Sequence, residues 1–147
     1  DPQNLRRWEQ TGVNTVYELY FAQLRRAANS RLFDIISHTD LAKKFGHRPT
    51  KDFSEDIEKT VRAYKDAGVA VEINTSGLRR PVKEMYPSRD ILRLLRRYDI
   101  PLVFGSDAHA PNEVGRDFAS ANALALELGF VELVVFEQRK IVDTDPL

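Results

Sequence analysis

The chain has 147 residues, 42% of them hydrophobic and 10% aromatic, which excludes a disordered chain and suits one domain with a buried core. Its 22 Lys and Arg side chains balance its 22 Asp and Glu side chains, which excludes the overall basic field of a protein that coats nucleic acid. Because there is no cysteine, disulfides, thiolate metal ligands and a cysteine nucleophile are excluded, and any metal must be bound by His and carboxylates.

The first half of the chain alternates between helical and strand-like patterns. Apolar residues at helical spacing predict an amphipathic helix over 13–29. The run 32–38 is compact, rich in β-branched residues and predicts a strand that ends on a histidine. A polar, basic loop follows at 39–49. Ser54 is then predicted to cap a second helix, which ends at Gly68.

The second half repeats this alternation. Residues 69–74 predict a second strand, and 75–81 predict a loop. A third helix is predicted from Pro87-Ser88 to just before Ile100-Pro101. The apolar run 102–104 predicts a third strand, and 118–128 predict a fourth helix that ends before a glycine. We therefore expect an α/β fold in which parallel strands are joined by crossover helices.

The last residues are open to two interpretations. The apolar segments 131–136 and 141–142 predict either a final strand or a hairpin that turns around Gln138-Arg139. No internal repeat or low-complexity segment interrupts the pattern.

Two features of the sequence bear on where the protein is located. No apolar run approaches the roughly 20 residues of a membrane span, and the first residues do not form a signal peptide. We therefore predict a cytoplasmic protein with no membrane partner. The chain also begins without methionine, which we interpret as a sign that it is a piece of something longer.

Polar side chains follow the predicted strands at their carboxyl ends. His38, Asn74 and the segment 106–109 all stand at or just beyond such an end. In a barrel or an open parallel sheet this edge binds ligands. Glu72 and Asn74, on the second strand, could each orient a neighbouring ligand. Glu72 could equally be a paired structural carboxylate.

The sharpest candidate for metal binding is the pair Asp107 and His109. Their i, i+2 spacing puts both side chains on one side of extended backbone, where both can reach one divalent ion. The alternative is a turn in which the aspartate or Ser106 caps a helix. His38 alone is more typical of a hydrogen-bonded structural histidine. Together, two histidines and an aspartate suit zinc, iron or manganese better than magnesium or calcium.

Basic side chains share the loops of these candidate ligands. Arg48, Arg79 and Arg80 carry guanidinium forks suited to phosphate oxygens, and Lys43 and Lys44 add charge. The alternative is that these side chains are simply solvated. Beside a metal site they indicate phosphate-ester hydrolysis, in which metal ions generate the nucleophile and arginines hold the substrate.

Four motifs, taken in this order, resemble the histidinol-phosphatases of the polymerase and histidinol phosphatase (PHP) superfamily. They are Ser-His-Thr-Asp at 37–40, Lys-Lys-Phe-Gly-His-Arg-Pro at 43–49, Glu-Ile-Asn-Thr-Ser-Gly-Leu-Arg-Arg-Pro at 72–81 and Gly-Ser-Asp-Ala-His at 105–109. The resemblance implies the C-terminal half of a distorted, TIM-like (β/α)7 barrel. Residues 1–147 are then the C-terminal portion of one PHP domain, without the His-x-His motif of its first strand.

The resemblance also implies a function and its residues. The reaction is metal-dependent hydrolysis of L-histidinol phosphate to L-histidinol and phosphate in histidine biosynthesis, with about two or three Zn, Mn or Fe ions in the whole enzyme. Carried over by motif, His38, Asp107 and His109 are metal ligands, of which Asp107 and His109 are also catalytic. Arg48 and one or both of Arg79 and Arg80 are the expected phosphate contacts.

This set of ligands is incomplete, so we expect the 147 residues alone to have little activity and to associate through exposed barrel edges. The expected partner is a small molecule and not a nucleic acid. The competing functions are another PHP phosphoesterase, such as a nuclease module that accompanies a polymerase, and a non-catalytic scaffold.

Overall fold

Alternating helices and strands build two small sheets in the computed structural model, which describes residues 11–147. The helices are α1 (Val13–Asn29), α2 (Ser54–Ala67), α3 (Arg89–Arg97) and α4 (Phe118–Glu127). The strands are β1 (Ile35–Ile36), β2 (Ala70–Asn74), β3 (Leu102–Gly105), β4 (Glu132–Glu137) and β5 (Lys140–Pro146). Short 3₁₀ turns occupy Leu41–Lys43, Thr75–Arg79 and Pro111–Glu113.

The first sheet contains three parallel strands in the order β1-β2-β3. Val71 is level with Ile36 on one side and with Leu102 on the other, and Asn74 is level with Gly105. Each connection between neighbouring strands contains a helix, α2 for the first pair and α3 for the second. The expected parallel strands with crossover helices are therefore confirmed, and their carboxyl ends lie at one edge.

The alternation of side chains along β2 separates two faces. Val71 and Ile73 are fully buried against the helices, where they meet Tyr64 of α2 and Leu95 of α3 in one apolar cluster. Burying side chains of this size contributes roughly 1.5–3 kcal/mol each, so this face supplies much of the folding energy. Glu72 points to the opposite face because successive strand residues alternate.

The first strand is shorter than predicted. Only Ile35 and Ile36 pair with β2, whereas the sequence indicates a strand over 32–38. Left-handed backbone at Arg31 and His38, with φ of 56° and 55°, bends the chain at both sides of the pairing segment. The extended conformation of a strand cannot continue through such residues.

The last two strands form an antiparallel hairpin, one of the two alternatives for this segment. The hairpin is a sheet of its own and does not extend the parallel ladder. At its turn, the Arg139 guanidinium donates to both carboxylate oxygens of Asp34, at 3.0 and 3.2 Å, and to the Leu32 carbonyl at 3.2 Å. These bonds tie the hairpin to the segment that leads into β1.

The sequence predicted the C-terminal end of α2 correctly but not its N-terminal cap. Gly68 ends α2 in left-handed backbone, with φ 73°, as predicted. The expected cap at Ser54 is wrong, because Phe53 is the N-cap and Asp52 accepts from the Ser54 backbone N–H at 2.9 Å and hydroxyl at 2.6 Å. Among the described residues, none of the helices has the length and apolar character needed to cross a membrane.

The assignment of 1–147 to one domain includes residues 1–10, which lie outside the described residues. It stays a prediction.

Candidate functional site

His38 and Asp107 face each other at the carboxyl edge of the parallel sheet. The imidazole Nε2 lies 3.8 Å from the carboxylate Oδ2, and both side chains are about 30% exposed, at 29% and 32%. Both residues have left-handed backbone, with φ of 55° and 51°, which is unusual for residues other than glycine. The Tyr20 hydroxyl supports the first of these turns by donating to the His38 carbonyl.

Asn74 connects this pair to the second strand. Its side chain is fully buried, and its Oδ1 accepts from the Ser76 backbone N–H at 3.0 Å. That bond fixes which end of the amide is the donor, so Nδ2 lies 3.3 Å from His38 Nε2 and donates to Glu72 Oε2 at 3.0 Å. Asn74 is therefore a support for the imidazole, as the sequence suggested.

Glu72 lies across the end of β3. A β-carbon built on Gly105 would stand 1.7 Å from Glu72 Oε1, so only a glycine leaves room for this carboxylate. Glu72 is bonded to the amide of Asn74 at 3.0 Å, which makes it part of the network behind His38.

His109 is placed differently from the expectation. The left-handed φ of Asp107 breaks the extended backbone on which the i, i+2 argument rests. His109 is exposed, its Nδ1 lies 2.7 Å from the Asp107 carbonyl, and its backbone N–H donates to Glu113 Oε2 at 2.8 Å. With its Nδ1 proton on that carbonyl, Nε2 keeps a free lone pair, the form in which histidine binds metals.

The donor set fits part of a metal site. An imidazole nitrogen and a carboxylate oxygen that face each other are ligands for zinc, manganese or iron. Within residues 11–147, however, no three His, Asp or Glu side chains form a group that could hold a metal ion. His38 and Asp107 come together, and His109 does not complete a set of three with them.

The three candidate arginines have different surroundings. Arg79 is mostly buried, and its guanidinium donates to Asp117 Oδ2 at 3.0 Å and to the Ser106 carbonyl at 2.6 Å. Arg48 is half exposed and donates to Glu84 at 2.5 Å. Arg80 is partly buried, and its charge acts on the Tyr86 hydroxyl.

A buried ionic network lies beneath the basic loop, and sequence reasoning missed it. Lys43, expected to be a basic loop residue, is 1% exposed, and its Nζ donates to Asp40 Oδ2 at 2.9 Å, Glu84 Oε2 at 3.0 Å and the Met85 carbonyl at 2.8 Å. Burial raises the pKa of the Asp40 carboxyl, and the Lys43 ammonium opposes that rise. Nothing in the sequence separates Lys43 from Lys44, because the 3₁₀ turn decides which of the two points inward.

Tyr86 stands between this network and the candidate ligands. Its ring centroid lies 6.0 Å from that of His38, and Lys43 Nζ is 5.5 Å from the same ring. Burial raises the pKa of the Tyr86 hydroxyl to about 12, assisted by the Asp40 charge and opposed by that of Arg80. In the described part of the chain, Tyr86 Oη and Asp40 Oδ1 are the buried side-chain atoms without a hydrogen-bond partner.

A cavity of about 480 Å³ opens between the start of α3 and the loops before it. Its polar lining is supplied by Arg48, Glu84, Ser88, Arg89 and Asp90. His38, Asp107 and His109 do not line it. Arg48 therefore faces a space that the candidate metal ligands do not line.

Comparison with known proteins gives the context of this geometry. A family model described as PHP-associated matches residues 88–118. The chain is 39% identical over 142 residues to a protein of Deinococcus radiodurans named a probable histidinol-phosphatase, covering 96% of this chain and 53% of that protein. It is 31% identical over 112 residues to a histidinol-phosphatase of Bacillus subtilis, covering 70% and 42% respectively.

A solved structure agrees with the fold. The crystal structure of a Listeria monocytogenes protein described as a histidinol phosphatase superposes with a TM-score of 0.66 at 25% identity, covering 74% of this chain and 44% of that one. The resemblance of the motifs and the α/β architecture of part of a TIM-like barrel are thereby confirmed. The chain spans about half the length of the curated relatives it matches.

Proposed function

Because this chain is similar to 53% of one histidinol-phosphatase and to 42% of another, we propose that it forms part of a metal-dependent phosphomonoesterase. The substrate is L-histidinol phosphate, and the products are L-histidinol and phosphate. The observation that carries the proposal is the 3.8 Å approach of His38 Nε2 to Asp107 Oδ2 at the carboxyl edge of the sheet. At this edge of a barrel, side chains from several strands act on one substrate.

His38 and Asp107 would hold a divalent ion together. His109 as a ligand of the same ion stays a prediction, because among the described residues it does not complete a set of three with them. A zinc, manganese or iron ion, when bound, polarises a phosphoryl oxygen and offsets negative charge on the phosphate. Asp107 is in addition the proton acceptor that we propose for the attacking water. Asn74 Nδ2 lies 3.3 Å from His38 Nε2, and its amide is fixed by Ser76. Because this imidazole nitrogen has one lone pair, a bound ion would replace the contact with Asn74.

Arg48 and Arg80 are the proposed contacts for the substrate phosphate. Arg48 is half exposed, so its guanidinium can exchange Glu84 for an anionic ligand. The cavity that it lines does not include His38 or Asp107, so its contact with a phosphate bound at that pair stays a prediction. Arg80 follows the 3₁₀ turn that extends β2 toward the candidate ligands. Arg79 as a phosphate ligand stays a prediction, and its present bonds to Ser106 and Asp117 compete with that role.

A chimera tests the function directly. This chain replaces the segment that it matches in the Deinococcus radiodurans relative, and phosphate release from L-histidinol phosphate is measured with Mn²⁺ or Zn²⁺. Asp107→Asn and His38→Ala should each lower kcat by at least about 100-fold, as expected for a metal ligand. Arg93→Gln is the matched control, because Arg93 pairs at 2.6 Å with Asp90 of its own helix.

Full activity of the Asp107→Asn chimera would contradict the proposed role of this carboxylate. The 147 residues alone should release little phosphate under the same conditions, since the described part offers two facing ligands. Substantial turnover by the purified chain would contradict that expectation.

A non-catalytic scaffold is the second candidate. The observation that favours it is the lack of a group of three metal-binding side chains within residues 11–147. Elemental analysis of the chimera after incubation with Zn²⁺ and Mn²⁺ separates the two, because there the ligands of the relative are also present. A lower metal content in the His38→Ala chimera supports the phosphatase, whereas an unchanged metal content supports the scaffold.

The partner that we propose is a small phosphate ester. The balance of 22 basic and 22 acidic side chains is a reason against a nucleic-acid substrate, and against the nuclease alternative. The cytoplasmic location stays a prediction.

A further inference from the structure

The loop between β3 and α4, residues 106–117, carries Asp107 and His109 and is tied to the turn that follows β2. The Thr75 hydroxyl donates to the Arg116 carbonyl at 2.7 Å. Arg79 donates from Nη2 to the Ser106 carbonyl at 2.6 Å and from Nη1 to Asp117 Oδ2 at 3.0 Å. One guanidinium therefore holds the first and the last residue of the loop together.

The Ser106 carbonyl belongs to the peptide group that precedes Asp107. A donor on this oxygen fixes the peptide plane, and with it the φ angle of Asp107. That angle is 51°, in the left-handed region, which is unfavourable for an aspartate and needs support from its surroundings. The short Nη2 bond, from a side chain that is 18% exposed, provides such support.

We propose that Arg79 is a positioning residue that holds Asp107 in its left-handed backbone and thereby directs the carboxylate at His38. It acts through the Ser106 carbonyl and is anchored by Asp117. The role differs from that of a phosphate ligand, because a fork that binds phosphate with both Nη atoms would have to release Ser106 and Asp117. The inference concerns the site of the proposed function. Only its kinetic test depends on that function, because the hydrogen-exchange test needs no activity.

Hydrogen exchange on the purified 147-residue chain tests the clamp without any need for activity. The indicator is the loop 106–117, in which the Gly115 N–H donates to Ser106 Oγ at 3.2 Å. Arg79→Gln and Asp117→Gly should each raise exchange in the loop by about tenfold or more, since charged hydrogen bonds are lost. Glycine suits the φ of 64° at position 117.

The double variant distinguishes the clamp from two independent effects. If Arg79 acts through its bond to Asp117, then Asp117→Gly should add little to the exchange of Arg79→Gln. If the two effects multiply, or if Arg79→Gln leaves the loop protected, the clamp is refuted. Arg93→Gln should leave exchange in the loop unchanged, because its pair with Asp90 lies within α3.

Kinetics of the chimera then separate positioning from phosphate binding. If Arg79 is a positioning residue, Arg79→Gln and Asp117→Gly should each lower kcat with little change in KM. Arg79→Lys should not restore kcat, because one ammonium group cannot reach both the Ser106 carbonyl and Asp117. If Arg79 binds the substrate phosphate, Arg79→Gln should instead raise KM and the inhibition constant of inorganic phosphate. Arg79→Lys should then restore part of the activity, and Asp117→Gly should have no effect. That pattern overturns the inference. A chimera with no activity refutes the proposed function, and the exchange experiment still decides the clamp.

Discussion

At the scale of single residues, Gly105 has no room for a side chain because the Glu72 carboxylate lies where its β-carbon would be. Gly105→Ala would bring this carbon to 1.7 Å from Glu72 Oε1 and push the carboxylate away from Asn74. We expect a loss of about 1–3 kcal/mol in the free energy of unfolding, typical of overpacking. Urea denaturation measures it.

A second variant tests the cause of that loss. In a Glu72→Ala background the added methyl group has space, so Gly105→Ala should cost less there than in the parent chain. Gly77→Ala is the matched control, since its β-carbon would meet the Glu84 backbone oxygen at 1.9 Å and the Glu72 change cannot relieve it. Equal costs of Gly105→Ala in both backgrounds would contradict the steric explanation.

Which residues stand near one another could be predicted only in part. His38, Asn74 and Asp107 lie at or just beyond the carboxyl ends of three neighbouring parallel strands. Because the carboxyl ends of parallel strands meet at one edge of a sheet, the sequence predicts that these residues lie close together, as the structure shows. The orientation of His109 could not be predicted, because it depends on a left-handed φ at Asp107. The contacts of Arg79 depend on the path of the twelve-residue connection between β3 and α4, which has no periodicity to interpret.

At the scale of elements, the start of α2 depends on a residue that precedes its N-cap. Asp52 accepts two hydrogen bonds from Ser54, and these bonds lower the pKa of the Asp52 carboxyl. Asp52→Ala should therefore lower the Tm at neutral pH by about 2–4 °C, more than Ser54→Ala, which leaves the backbone bond intact. Thermal unfolding followed by circular dichroism measures both.

The sign of the pH dependence follows from the lowered pKa of Asp52. A carboxyl group of this kind stabilises the fold above its ordinary pKa, and the contribution is lost as the pH falls through the lowered value. The difference in Tm between the parent chain and Asp52→Ala should accordingly disappear in acid. A difference that persists below the lowered pKa would show that the ionised carboxylate is not the cause.

Elements with a clear period were predictable, and short ones were not. The helix over 13–29 and the helix that ends at Gly68 agree with the structure because a 3.6-residue apolar period and a C-terminal glycine are local signals. β1 has only two residues because left-handed φ angles at Arg31 and His38 bend the chain on both sides of it, and no apolar period indicates such angles. An apolar period likewise does not decide between a final strand and a hairpin.

At the scale of the molecule, the β1 edge of the parallel sheet has no further pairing strand within residues 11–147. In the part of the chain that the structure describes, β2 is the strand paired with β1. Phe33 and Ile35, at this edge, are 51% and 36% exposed. An unpaired edge with apolar side chains is a template for association, and natural sheets commonly protect it with a charge such as lysine.

In a solution of the purified chain, the occupant available to this edge is a second copy of the same chain. We therefore expect sedimentation velocity to show a weight-average mass that rises with concentration above the 16.8 kDa of the monomer. Phe33→Lys should suppress the rise, because it places a charge beside the open backbone groups of β1. Leu19→Lys is the matched control, since Leu19 is similarly exposed, at 57%, and belongs to α1 and not to the sheet. A monomer at every concentration would contradict the expectation. An equal effect of Phe33→Lys and Leu19→Lys would show that the association depends on exposed apolar surface in general and not on the sheet edge.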